Sequence, residues 1–144
     1  MKHIEIKEGI EYCDFHKVTE MLAKSFWCPG ISREEVQKGA YHSALVVGAF
    51  QDGEQIGFAR VISDKTRYAY IVDVMVDENY RHQGIGQKMI QAILDSPELK
   101  DVYQWQLMTK DAHEFYGKFG FSPIVRAKDL LEIRVARAEK RKQQ

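Results

Sequence analysis

The spacing of apolar residues in the first third of the chain predicts one strand followed by two helices. Apolar and polar residues alternate at positions 3–7, as in a strand that is buried on one face. Apolar residues then recur at helical spacing behind Asp14, whose carboxylate can cap a helix. Ser32 is followed three residues later by Glu35, which is the pattern of a capping box. The second helix is therefore expected to start at Ser32 and to end near Tyr41.

Three longer apolar runs follow, and we expect them to form strands of one sheet. They occupy residues 44–50, 55–62 and 68–76. The pair Asp52–Gly53 separates the first two runs, and an Asp-Gly pair is typical of a tight hairpin turn. The first two of these strands are therefore predicted to be antiparallel neighbours.

The second half of the chain alternates between helix and strand. A helix is predicted beyond Gly84, where apolar residues recur along one helical face. A strand at 102–108, a short helix at 111–119 and a return strand at 121–126 are expected after it. This order of elements predicts an α/β (α+β) fold with a mixed sheet. No linker-like stretch interrupts the chain, so we expect a single domain over residues 1–144.

Composition and charge narrow the classes of function. The 144 residues include 21 basic and 21 acidic side chains, so the whole molecule has no net charge that would attract nucleic acid or an anionic membrane. No apolar run reaches the roughly 18 residues of a membrane span. Cys13 and Cys28 are too few for a disulfide framework, and the histidines show no metal-binding spacing. We therefore expect a cytoplasmic protein with no nucleic-acid, membrane or metal partner.

The sequence NYRHQGIGQKM, residues 79–89, places an arginine and two glycines where a predicted strand meets a predicted helix. The first turn of a helix has N–H groups without intrahelical partners and a partial positive charge, so it attracts anions. Gly84 and Gly86 would let an anion approach the backbone, and Arg81 adds a cationic fork suited to phosphate oxygens. Met89 excludes the dinucleotide-binding pattern GxGxxG. The loop is a candidate phosphate site, although an ordinary strand-to-helix turn would use the same glycines.

Two motifs and their setting resemble the GNAT superfamily of acyl-coenzyme-A-dependent N-acyltransferases. Residues 81–86 match the pyrophosphate loop of that family, (Arg/Gln)-x-x-Gly-x-(Gly/Ala), between an apolar strand and an amphipathic helix. Residues 116–121 match its Tyr-x-x-x-Gly-Phe signature. The order of elements agrees as well, so the resemblance covers nearly the whole chain. The stretches GFARVISD and TKDAHEFYGKFGF, together with Trp27, are similar to a bacterial subgroup whose acceptors are mostly unassigned.

The resemblance implies both a fold and a cofactor site. It implies a central mixed, mostly antiparallel twisted sheet flanked by helices, whose fourth and fifth strands, 68–76 and 102–108, splay apart to admit acetyl-coenzyme A as co-substrate. The pantetheine arm would pair with the backbone of Val74, Met75 and Val76. The pyrophosphate would lie beside Arg81 on the backbone N–H groups of the next six residues, which are His82, Gln83, Gly84, Ile85, Gly86 and Gln87.

The resemblance also makes Tyr116 the predicted general acid, because the matching tyrosine of the family lies close to the cofactor sulfur. A phenol with a pKa of about 10 stays protonated at neutral pH, whereas a thiol with a pKa of about 8.5 leaves as a weaker base. Tyr116 could therefore protonate the departing thiolate. The alternative is a core aromatic residue that packs beside Phe115 and Phe119.

Asp73 is the predicted general base, because the attacking amine must lose a proton. In a regular strand Ile71, Asp73 and Met75 would share one face, and the two apolar neighbours would raise the pKa of the carboxyl group. The alternative for this carboxylate is a structural ion pair with Arg60 or with a lysine on a neighbouring strand. A chain of water molecules could then serve as the base instead.

Trp27 and Arg60 are predicted to contact the acceptor. Trp27 lies on the expected turn between the first two helices, where an aromatic side chain can line a pocket, although it could equally fill the core. Arg60 could face either the cleft or Asp73. The predicted reaction transfers acetyl directly to a primary amine of a small molecule or peptide, because neither cysteine has a recognisable activating partner.

Two rival functions follow from the same residues. A non-catalytic domain could bind coenzyme A thioesters and pass the signal to a partner. Alternatively, a nucleic-acid or ribosome-associated module could use the tail 134–144, which carries five basic residues and one acidic residue, Glu139. The resemblance also makes a homodimer an expectation.

Overall fold

A computed structural model describes residues 3–136 of the protein. Within these residues the chain forms five strands and four α-helices. Their bounds in chain order are β1 (Glu5–Glu8), α1 (Phe15–Ala23), α2 (Arg33–Tyr41), β2 (Leu45–Gln51), β3 (Glu54–Ser63), β4 (Tyr68–Val76), α3 (Ile85–Asp95), β5 (Gln104–Leu107) and α4 (His113–Gly117).

The predicted helix caps and hairpin are confirmed. The Asp14 carboxylate accepts a hydrogen bond from the N–H of Lys17, and Ser32 Oγ accepts one from the N–H of Glu35. These side chains satisfy backbone donors that the first helical turn leaves unpaired. In the turn between β2 and β3, Asp52 and Gly53 have φ angles of 52° and 80°, the left-handed pair that a two-residue hairpin turn requires.

The strands form one sheet in the order β1-β2-β3-β4-β5. Neighbouring strands are antiparallel from β1 to β4, and β4 and β5 are parallel. A parallel pair needs a long crossover connection, and α3 lies in that connection. The predicted mixed, mostly antiparallel sheet flanked by helices is therefore confirmed.

Helices cover both faces of this sheet. Phe58 on β3 belongs to an apolar cluster with Leu22 of α1 and Val36 of α2. Gly57 is the preceding residue on β3 and so faces the opposite side. A β-carbon at Gly57 would lie 3.1 Å from Met89 Cε of α3. The helices α1 and α2 therefore pack on one face, and α3 packs closely on the other.

The predicted return strand at 121–126 is wrong. Residues 108–136 contain no strand, and several apolar side chains in that stretch are exposed, including Val125 at 98% and Ile133 at 99%. An apolar run forms a strand only where its backbone groups find a neighbouring strand to pair with. Between residues 3 and 136 no strand pairs with this segment.

The chain divides into two compact units at Lys110 and Asp111. The first unit contains the whole sheet and the helices α1, α2 and α3, and the second contains α4. The assignment of residues 1–144 to a single domain stays a prediction. Most of the basic tail predicted at 134–144 lies outside the described residues. Within residues 3–136 no helix combines the length and the apolar character needed to cross a membrane, and the predicted cytoplasmic location stays a prediction.

We expect the substitution Ile93→Ala in α3 to lower the free energy of unfolding by about 2–5 kcal/mol, because it leaves a cavity between this helix and the sheet. Ile93 has no exposed surface. Denaturant titration measures the loss. Lys88→Ala on the exposed side of α3 is the matched control and should change stability by less than about 0.5 kcal/mol. Equal effects of the two substitutions would contradict the packing of α3 described above.

Candidate functional site

The strands β4 and β5 part halfway along β4. Their parallel pairing runs from Tyr68 opposite Gln104 to Ile71 opposite Leu107 and then stops. β4 continues to Val76, so within residues 3–136 its stretch 72–76 has no strand partner on the β5 side. An unpaired strand edge presents backbone donors and acceptors that an extended molecule can bind in strand fashion. Val74, Met75 and Val76 lie on this edge, and the pairing of their backbone with the pantetheine arm stays a prediction.

A β-bulge interrupts β4 at the start of the open stretch. Arg60 pairs with Val72, but Phe58, two residues earlier on β3, pairs with Met75, so β4 contains one extra residue. Asp73 lies within the bulge and has a φ angle of 58°. This left-handed conformation is uncommon for residues other than glycine, and asparagine and aspartate tolerate it better than most.

The bulge makes one sequence expectation wrong. Ile71 pairs with Val61 and Met75 pairs with Phe58. Val61 and Phe58 are three residues apart on a regular strand, so they point to opposite faces of the sheet. Ile71 and Met75 therefore do not share a face, because the extra residue of a bulge reverses the alternation beyond it. The carboxylate of Asp73 is not placed between these two apolar side chains.

The carboxylate of Asp73 is held by two donors instead. Oδ1 accepts a hydrogen bond of 2.9 Å from Trp27 Nε1, and Oδ2 accepts one of 2.8 Å from Arg60 Nε. The ion pair with Arg60 is the alternative that the sequence left open for this aspartate. Both oxygens already accept a hydrogen bond from the protein. The role of Asp73 as a base stays a prediction.

Trp27 and Arg60 both lie beside Asp73, on the face of the sheet that α1 and α2 cover. A small pocket there is lined by apolar side chains, such as Leu22 and Val36, and by Arg60 and Asp73. Trp27 is partly buried against the apolar cluster of α1 and α2, and its ring meets Phe26 edge-on at 5.1 Å between centroids. It therefore packs in the core and also donates a polar contact. Contact of either residue with an acceptor stays a prediction.

The glycine loop presents an open helix N-terminus to solvent. Gly84 is the N-cap of α3 with a φ angle of 77°, and a β-carbon there would have no atom within 4 Å. Because Gly84 has no side chain, it cannot cap the first turn of α3. The side chains of residues 81–83 are exposed, and Arg81 Nε donates to the carbonyl oxygen of Val76 at 3.3 Å. This loop can accept an anion on its backbone N–H groups.

An ion pair anchors the chain between β4 and the loop. Asp77 Oδ2 accepts a hydrogen bond from Lys17 Nζ of α1, and Asp77 Oδ1 accepts one from the N–H of Asn79 at 2.8 Å. The hydrogen bond from Lys17, with the one from Asn79, lowers the pKa of the Asp77 carboxyl group below its usual value. The same pair raises the pKa of Lys17. The end of β4 is thereby tied to α1.

Tyr116 lies on α4, in the second unit, and is buried. Its ring packs edge-on against Phe115 and Phe121 at centroid distances of 5.0 and 6.0 Å. Burial raises the pKa of its hydroxyl group, so the group is protonated at neutral pH and can donate a proton. The packing also fits the alternative of a core aromatic residue, and the role of Tyr116 as an acid stays a prediction.

Comparison with known proteins identifies the family. Residues 42–123 match the model of the acetyltransferase (GNAT) domain. The structure is similar to that of a protein from Xanthomonas campestris pv. campestris described as belonging to the GNAT family of acetyltransferases, with a TM-score of 0.89, 33% sequence identity, and coverage of 94% of this chain and 95% of the other.

The chain belongs to the GNAT acetyltransferase family. It is also 36% identical over 67 residues to the histone acetyltransferase TAP1 of Glycine max, a match that spans 46% of this chain and 29% of that relative. The glucosamine-6-phosphate N-acetyltransferase of Arabidopsis thaliana shares the fold at a TM-score of 0.68 and 17% identity, over 94% of this chain and 98% of the other.

The Cys13 thiol of this GNAT chain is poorly suited to act as a nucleophile. Burial, followed by the nearby charge of Asp14, raises the pKa of the Cys13 thiol to about 12, so its thiolate is scarce at neutral pH. Cys28 is buried, and its sulfur lies 3.2 Å from Ser25 Oγ. Among the residues described, no three His, Cys, Asp or Glu side chains come together as a metal site, and the absence of a metal stays a prediction.

Sequence reasoning missed the bulge and the two residues that anchor the loop, Lys17 and Asp77. The aspartate inside the apolar run 68–76 was the available signal for the bulge, because aspartate is depleted in strands and tolerates the left-handed conformation. Nothing in the sequence connects Lys17 with Asp77, which lie 60 positions apart.

The Asp77→Asn substitution should lower the free energy of unfolding at neutral pH by about 1.5–3 kcal/mol, because it removes a charged hydrogen bond. The folded-state pKa of Asp77 is lowered, so its contribution is present above the unfolded pKa of about 3.9 and is lost as the pH falls through the folded value. The variant should therefore show a weaker loss of stability below about pH 4 than the natural protein does.

Denaturant titrations at several pH values measure this difference. Asp101→Asn, at an exposed position, is the control and should leave the acid dependence unchanged. Parallel stability curves for Asp77→Asn and the natural protein between pH 2 and 5 would contradict the role given to the ion pair.

Proposed function

We propose that the protein is an N-acetyltransferase that moves the acetyl group of acetyl-coenzyme A directly to a primary amine of a small molecule or peptide. The observation that carries this proposal is the continuity of two features along one stretch of chain. The open edge of β4 at 72–76 leads within eight residues to the open N-terminus of α3 at Gly84. One surface pairs with an extended amide chain, and the other accepts an anion.

Acetyl-coenzyme A has groups that match both features. Its pantetheine arm contains two amides, which would pair with the backbone of Val74, Met75 and Val76. Its pyrophosphate would lie on the N–H groups of residues 82–87, where the helix dipole and the absence of a side chain at Gly84 favour an anion. Arg81 is exposed beside this loop and would add a charged hydrogen bond.

The acceptor must be neutral when it attacks the thioester. An amine with a pKa of about 10.4 is neutral in about one molecule in 2,500 at pH 7, which costs about 4.6 kcal/mol. An α-amino group with a pKa of about 7.8 costs only about 1 kcal/mol. A lysine-like acceptor therefore needs a base, whereas an α-amine needs less help.

The state of the Cys13 thiol and of Tyr116 supports the proposal of direct transfer. A route through an acyl-cysteine would need a reactive thiolate, and the raised pKa of Cys13 disfavours that species. Departure of coenzyme A as a thiolate needs a proton or a favourable field. The Tyr116 hydroxyl group, kept protonated by burial, is our candidate for that donor. The class of the acceptor is likewise a proposal, and so is a homodimer.

Release of free coenzyme A thiol tests the activity. Acetyl-coenzyme A would be incubated with the protein and with polyamines, amino acids, aminoglycosides and peptides in separate wells. Thiol release that depends on one class of amine supports the transferase. Cofactor binding without release in any well would favour a domain that senses coenzyme A thioesters.

The substitution Arg81→Ala should weaken binding of coenzyme A by about 1.5–3 kcal/mol, the value of a lost charged hydrogen bond. Titration calorimetry measures the affinity. Arg67→Ala is the matched control, because Arg67 is an exposed arginine on the turn between β3 and β4. An unchanged affinity for Arg81→Ala, or an equal loss for both variants, would count against the placement of the pyrophosphate.

The substitution Tyr116→Phe should lower the rate of thiol release by roughly 10²- to 10⁴-fold, because it removes the proposed proton donor and keeps the ring. Tyr103→Phe, at a tyrosine that is 73% exposed, should leave the rate unchanged. A rate for Tyr116→Phe within a few fold of the natural protein would assign Tyr116 to the core alone.

A further inference from the structure

The bulge in β4 contains a backbone conformation that needs support. Four non-glycine residues between positions 3 and 136 have a positive φ angle, and of these Asp73 alone lies inside a strand. The others, Asp52, Lys65 and His82, lie in turns or loops. A residue inside a strand keeps a left-handed conformation only when surrounding contacts hold it there. The contacts that hold Asp73 in this conformation must therefore involve its side chain or the neighbouring strands.

Two side chains from outside β4 hold Asp73. Trp27 Nε1 comes from the turn after α1 and donates to Oδ1 at 2.9 Å. Arg60 Nε comes from β3 and donates to Oδ2 at 2.8 Å. The two donors bind different oxygens of one carboxylate, so they fix both the position and the rotation of that group.

Both donors are themselves anchored on the face of the sheet that α1 and α2 cover. Arg60 Nη1 donates to Ser43 Oγ at 3.3 Å and to the Gly39 carbonyl oxygen of α2 at 3.5 Å. The Trp27 ring packs against the apolar cluster formed by α1 and α2. A continuous chain of contacts therefore leads from these two helices to the bulge.

We propose that Trp27, Asp73 and Arg60 form a clamp that sets the backbone direction of β4 at the acyl end of the cofactor cleft, so that Asp73 is a positioning residue and not the general base. A bulge redirects the strand that follows it, and the strand that follows is the edge 74–76. The role of this edge in binding acetyl-coenzyme A rests on the proposed function. The contacts of the clamp do not depend on any ligand.

The geometry explains why a carboxylate serves here. Its two oxygens each accept a hydrogen bond from a different donor, whereas a hydroxyl group has only one oxygen for both. Aspartate also tolerates the left-handed conformation better than most residues. Because Trp27 is on the turn between α1 and α2, a ligand that displaces this turn would alter the backbone that holds the thioester. Acceptor binding and cofactor binding would then be coupled through Asp73.

Hydrogen exchange of the protein without ligand tests the clamp directly. The Asp73→Gly variant can adopt the same φ angle without strain but cannot bind Trp27 or Arg60. We expect exchange in the segment 68–80 to accelerate by about 10- to 100-fold, the factor that corresponds to loss of a charged hydrogen bond. Trp27→Phe removes one donor and keeps the aromatic ring, so it should accelerate exchange in the same segment by a smaller factor.

A double substitution separates the clamp from general loosening of the fold. In the Asp73→Gly background, adding Trp27→Phe should have no further effect on the segment 68–80, because the acceptor of its hydrogen bond is already gone. Arg67→Met, which removes an exposed arginine near the same strand, should leave exchange there unchanged. Additive effects of Asp73→Gly and Trp27→Phe would overturn the clamp, and so would unchanged exchange in both single variants.

The pH dependence of thiol release separates a positioning residue from a base. If Asp73 positions the backbone, Asp73→Asn should lower kcat/KM at all pH values and keep the acidic limb of the profile. If Asp73 is the base, that limb should disappear and the rate should fall by about 10²- to 10⁴-fold, which would overturn the assignment. Absence of thiol release by the natural protein with every amine would instead refute the proposed function, and the exchange measurement would still decide whether the clamp exists.

Discussion

The site depends on the point at which β4 and β5 stop pairing. Four residue pairs join these strands, and β4 then continues for five residues without a partner on that side among the residues described. A parallel strand pair can form only after a crossover, and α3 is part of that crossover. The strand that supplies the open edge therefore also leads the chain to the N-terminus of α3. Both halves of the proposed cofactor site follow from this one connection.

The open stretch of β4 is supported at each end by a paired carboxylate. Asp73 is bound by Trp27 and Arg60 at the start, and Asp77 is bound by Lys17 at the end. A partly buried charge is costly unless it is paired and hydrogen-bonded, and each of these carboxylates has a cationic partner from another element. Side-chain contacts to α1, β3 and the turn after α1 thus support this stretch, while its backbone edge on the β5 side stays open among the residues described.

The same contacts change how Asp73 should be understood. An aspartate inside an apolar strand of a GNAT protein is a natural candidate for the general base, because apolar neighbours would raise the pKa of its carboxyl group. The bulge removes that arrangement, and the carboxylate instead binds two donors. Asp73 thus connects the turn after α1, through Trp27, to the open stretch of β4.

The sequence by itself determined the parts of this protein that depend on neighbouring residues. These parts depend on residues within a few positions of one another. They are the helix caps at Asp14 and Ser32, the Asp-Gly hairpin and the glycine loop before α3. Only the tertiary structure decided which residues hold the two carboxylates, because Trp27 lies 46 positions and Lys17 lies 60 positions from the residue it contacts. It also decided against a strand at 121–126. Apolar spacing reports what one segment favours, whereas a strand or an ion pair exists only where a distant partner is present.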